Sequence, residues 1–109
     1  MARQIAAAAS VLGMVAALLP WFQVLEPLGL GQGALFLAMV PLVVWGGGIT
    51  GFRPWAVRAF GPVCIGIAAF GVLGAGIEIA RTGPALLPVA AGLLALAAPV
   101  LAVGLWRRG

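Results

Sequence analysis

Residues 84–106 read PALLPVAAGLLALAAPVLAVGLW, and Arg107 and Arg108 follow at once. The run contains no charged residue and no alternation of apolar with polar positions. A helix that crosses roughly 30 Å of hydrocarbon at 1.5 Å per residue needs about 20 such residues. A strand of a membrane barrel would alternate instead. Backbone groups in lipid have to be satisfied within their own segment, so this run reads as a transmembrane helix.

Working outward, charge, Pro and Gly mark off three more apolar runs, at about residues 5–22, 30–50 and 55–80. Each is near spanning length, and the connections between them are short. The expected fold is all-α: one integral membrane domain over residues 1–109, a bundle of four transmembrane helices with short loops. Composition agrees. The chain is 64% hydrophobic and 7% charged, with a mean hydropathy of +1.23, whereas a soluble domain carries about 25% charged residues. The first run follows Arg3 and has the look of a signal-peptide core. It leads, however, into Pro20-Trp21-Phe22, a poor cleavage region, and then into more membrane sequence, so an uncleaved first helix is expected.

Counting arginines gives an orientation. With four spans, Arg3, Arg53, Arg58, Arg107 and Arg108 share one side, and Arg81 lies on the other with Glu26 and Glu78. Both termini are therefore expected in the cytoplasm. Trp21, Trp45, Trp55 and Trp106 fall near span ends, where indole rings concentrate at the lipid–water boundary. They are read as interfacial anchors rather than as an aromatic cage. The exclusive use of Arg over Lys, with abundant Ala and Gly, points to a bacterium with GC-rich coding, and hence to the inner membrane.

The residue types that are missing exclude most chemistry. There is no His, Asp, Asn, Lys or Tyr. A histidine base, a metal site of His or Asp, a Schiff-base lysine and a Walker-A loop are all impossible. Ser10 has no base to activate it. Catalytic residues, metal and cofactor are accordingly expected to be none, and an enzyme is not expected. The net charge of +4 does not imply nucleic acid, because the cations are few and isolated and flank membrane-length runs.

The placing of small residues carries more. Ala6, Ser10, Gly13 and Ala17 recur at helical spacing in the first span. Cys64, Ala68, Gly71 and Ala75, leading to Glu78, do so in the third, and Ala91, Ala95, Ala98 and Ala102 in the fourth. Small faces let helix backbones approach closely, which drives association in lipid. They are read as helix-packing faces. Cys64 is a packing residue within such a face and has no partner for an intrachain disulfide. Pro41, Pro62, Pro88 and Pro99 are expected to kink their helices, and Gly46-Gly47-Gly48 to unwind the end of the second span before the turn at Gly51-Phe52-Arg53-Pro54.

Glu78 is the one acid within a span, a functional-site candidate by default. Arg81 stands three residues on, so an ion pair along the helix surface is expected, with transport through Glu78 as the alternative. Glu26 reads as a solvated loop residue. The four-span layout invites comparison with the small multidrug resistance transporters, but those depend on a Glu inside the first span. Residues 5–22 contain no acid, and the match is rejected.

The function expected from these residues is a small multi-pass membrane protein without catalysis of its own. It would serve as an accessory or scaffold subunit packing against a larger membrane protein complex. Its partners would be the lipid bilayer and other membrane subunits or itself. An apolar lipid, quinone or pigment needs shape more than polar ligands and could occupy a groove between kinked helices. The alternative is a homo-oligomeric small transporter or channel using Glu78.

Overall fold

The computed structural model of the chain describes residues 2–108. Four α-helices account for nearly all of them: α1 (Ala2–Leu25), α2 (Gly31–Thr50), α3 (Pro54–Thr82) and α4 (Leu86–Arg108), with a short 3-10 turn at Glu26–Leu28. No strand occurs among the described residues. All four helices are long and apolar enough to cross a membrane, as the hydrophobic runs predict. α1 and α3 overrun the expected limits at both ends and α4 at its C-terminal end, while α2 and α4 begin one and two residues inside theirs. Pro20, Pro41, Pro62 and Pro99 lie inside helices that continue through them, which neighbouring helices make tolerable in a membrane.

Local chemistry sets the turns. Gly29 adopts the left-handed conformation (φ 77°) and its N–H donates to Glu26 O at 3.0 Å, closing the first connection. Gly83 (φ 87°) ends α3, its N–H donating to Ile79 O at 2.8 Å. Between α2 and α3, the N–H groups of Phe52 and Arg53 return to the carbonyls of Ile49 and Gly48. Pro54 then opens α3 at a position where a missing N–H costs nothing.

The triple glycine does not unwind α2 as expected, for the helix runs through to Thr50. Its role at Gly48 is space, because a Cβ there would run into the indole of Trp55.

The bundle is built on α1, α3 and α4. The α1–α4 contact is the most extensive, followed by α3–α4 and α1–α3. The small-residue faces form these seams. Ala6, Ser10, Gly13 and Ala17 are all buried, as are Cys64, Gly71, Ala75, Ala91, Ala95, Ala98 and Ala102, and only Ala68 is half-buried. Glycines mark the tightest points. A Cβ on Gly13 would sit 3.0 Å from Pro99 Cδ, one on Gly92 2.7 Å from Ala75 Cβ, and one on Gly71 against Ala95 and Ala17.

The remaining helix, α2, stands apart. α2 leans on α1, touches α3 lightly and makes no contact with α4. Its buried residues are Trp45, Gly48 and Ile49, all near its C-terminal end. Towards its N-terminal end it parts from the others, leaving an apolar cleft of about 230 Å³ lined by residues that include Trp21, Phe22, Leu37, Pro41 and Phe70.

Gly71 and Gly76 make a matched test of this architecture, since both lie in α3 but only Gly71 is enclosed. Gly71→Ala is expected to lower stability by about 1–3 kcal/mol through overpacking. Gly76→Ala meets open space and is expected to leave stability unchanged or slightly raised. Reversible unfolding in mixed micelles measures both.

Candidate functional site

Helical spacing carries Glu78 inward. It continues the small-residue face of α3 one turn beyond Ala75, so the side chain falls among packed helices, at 9% exposure. Its Oε1 lies 3.4 Å from the Thr82 hydroxyl, which also donates to the Glu78 backbone carbonyl at 2.9 Å. Oε2 is buried with no hydrogen-bond partner.

The expected ion pair with Arg81 is not formed. Arg81 Nη1 donates to Val24 O at 2.9 Å, satisfying a carbonyl in the last turn of α1 that has no acceptor role within its own helix. The physical reason for the difference is direction. Glu78 faces the interior, whereas Arg81 is exposed and finds the end of the neighbouring helix closer to hand.

The tryptophans divide in the same way. Trp55 is 48% exposed. Trp45 is 4% exposed, and its Nε1–H donates to Ser10 Oγ at 3.2 Å. The Ser10 hydroxyl in turn donates to Ala7 O at 2.7 Å. Trp21 also turns inward. Its Nε1–H donates to Phe70 O at 2.8 Å and its ring stacks on Phe70 at 4.8 Å, over Gly74, where any Cβ would strike the indole.

Three of the four tryptophans gather at the arginine-rich end. Trp45 lies 6.3 Å from both Trp55 and Phe60, and Phe60 stacks on Trp106 at 4.2 Å. Arg3 sits 4.7 Å over the Trp106 ring, within cation–π range. Chain topology alone puts the end of α2, the start of α3 and the end of α4 together. The signal is therefore present in the sequence for the tryptophans, whereas no spacing marks Phe52 and Phe60, which join the cluster.

Chemically, the arrangement offers one buried carboxyl group and little else. No group of three His, Cys, Asp or Glu that could hold a metal occurs among the described residues. Cys64 is free and buried between α3 and α4. The cavities between helices are walled by apolar side chains. No family model, no curated protein and no solved structure matches this chain.

A buried polar atom without a partner costs about 1–3 kcal/mol. Glu78→Met, similar in length and wholly apolar, is therefore expected to raise stability by that amount in a detergent unfolding assay. A loss of stability would show that the carboxyl makes a compensating interaction.

Proposed function

We propose that this protein is an accessory or scaffold subunit of a larger membrane protein complex, with no catalysis of its own. The observation that carries this reading is the position of α2. Only its C-terminal end is built into the bundle, through Trp45, Gly48 and Ile49. The rest presents Phe36, Val40, Val43 and Val44 outward.

A lone helix gains nothing from the hydrophobic effect by leaving lipid for a bundle; what holds it is close packing. α2 has given up most of that packing within its own chain, and a second membrane protein can supply it. The arginine-rich end is read as the cytoplasmic one by the positive-inside rule, in the inner membrane of a bacterium.

A photoreactive residue placed at Phe36 on α2 is expected to crosslink stoichiometrically to one larger membrane protein, and the same residue at Leu94 on α4 is not. Crosslinking from Phe36 to nothing but a second copy of this chain would overturn the reading.

One observation favours a second reading. The partnerless Oε2 of Glu78 suits a homo-oligomeric transporter or channel in which a buried carboxyl binds a proton or cation. In liposomes under an imposed gradient, flux that collapses in Glu78→Gln would support transport. The absence of flux in wild type under any gradient would leave the subunit reading in place.

A further inference from the structure

The seam between α3 and α4 carries an outward-facing groove that none of the packing described so far uses. Its volume is about 300 Å³ and it is lined by Cys64, Ile65, Ala68, Pro99, Val100 and Val103. Cys64 and Pro99 are buried, forming the floor, while Ile65 and Val100 stand 72% and 64% exposed as its walls.

Towards the arginine-rich end the groove does not close. The next residues on the two walls, one turn along, are Gly61 and Gly104, and a Cβ at either would meet nothing within 4 Å. Two turns along from Ile65 is Arg58, and two turns along from Val100 is Arg107. A step of seven residues keeps the same helix face and advances about 10 Å.

These two arginines stand at one level. Phe60 and Trp106 are stacked at 4.2 Å, Arg58 precedes Phe60 by two residues, and Arg107 adjoins Trp106. Both are exposed. The chain's acids, Glu26 and Glu78, lie at the opposite end of the helices and neutralise neither.

We infer that this groove binds an anionic glycerophospholipid, one acyl chain lying along Cys64, Ala68 and Pro99 and the phosphate held between Arg58 and Arg107. The apolar part is lined by side chains that suit hydrocarbon. The two cations meet it at the depth where a spanning helix ends and headgroups begin. Basic residues contributed by two helices beside an apolar groove are the elements of headgroup recognition, and guanidinium groups suit phosphate by their paired donors. A soluble anion would use the arginines and ignore the groove, whereas a lipid requires both.

Native mass spectrometry of the detergent-solubilised protein, titrated with phosphatidylglycerol and with phosphatidylcholine of the same chains, tests this. Wild type is expected to retain phosphatidylglycerol preferentially. Arg58→Gln and Arg107→Gln are each expected to weaken it by about fivefold, and the double variant to lose the preference. Ala68→Phe, which fills the groove, is expected to reduce binding of both lipids. Arg53→Gln, at the same end but off the groove, is expected to change nothing.

Equal weakening by Arg53→Gln would reveal diffuse attraction to a basic surface and overturn the site. So would an unchanged preference in the Arg58/Arg107 double variant. If Ala68→Phe instead leaves lipid binding intact and dissociates a dimer, the groove belongs to a second copy and the lipid is excluded from it. Circular dichroism establishes that each variant is folded, and the arginine variants decide the matter should Ala68→Phe not fold.

Discussion

The structure depends on how closely three helix backbones can approach one another. In water, burying side chains would hold a bundle together. In lipid the surroundings are as apolar as the core, and association rests on van der Waals contact and the few polar bonds between helices. Gly13 against Pro99, Gly71 against Ala17 and Ala95, and Gly92 against Ala75 bring α1, α3 and α4 close enough for that contact to be extensive. The core is accordingly made of alanine for much of its length, with Ala16, Ala17, Ile67 and Ala95 forming one of its two clusters. The bulkiest members of the core clusters enter at the arginine-rich end, where Trp45, Ile49 and Phe60 widen the other.

A single helix periodicity was enough to identify the seams. The spacing of Ala6, Ser10, Gly13 and Ala17, and of Ala91, Ala95, Ala98 and Ala102, selects the buried faces because a helix has one inward side and small residues mark it. The spans were equally legible, since apolar length against bilayer thickness leaves one reading. What the sequence withheld was which residues meet across the bundle. Trp45 reaches Ser10 and Arg81 reaches Val24 from distant points in the chain, and no local spacing encodes those pairings. A neighbour at i+3 made the Glu78–Arg81 pair the natural local expectation, and tertiary direction overrode it. The glycines at 46–48 misled for a similar reason. Read alone they weaken a helix, but Gly48 leaves room for an aromatic ring that arrives from the next one.

The polar economy of the interior follows from this scarcity. Ser10 bridges Trp45 to the carbonyl of Ala7, Trp21 binds the carbonyl of Phe70, and Arg81 binds that of Val24. Each of these donors has found an acceptor on the backbone or on a hydroxyl. Against that background the bare Oε2 of Glu78 is an exception. A protein that buries a carboxyl group with one oxygen unanswered forgoes stability at that point, and an apolar residue of the same shape would have served packing better.

The pairing of α1 with α4 bears on how the molecule is made. The first helix of this chain finds its most extensive contact with the last, so the seam between them cannot form until α4 has entered the bilayer. Before then α1 and α2 share only a modest interface, and α1 exposes its alanine and glycine face to lipid or to whatever assists insertion. Consolidation is therefore a late, concerted event, in which α4 completes a seam left open since α1 entered the bilayer. A chain interrupted before residue 86 would possess three spans but neither of the two most extensive seams, which gives membrane quality control a criterion for recognising an unfinished copy.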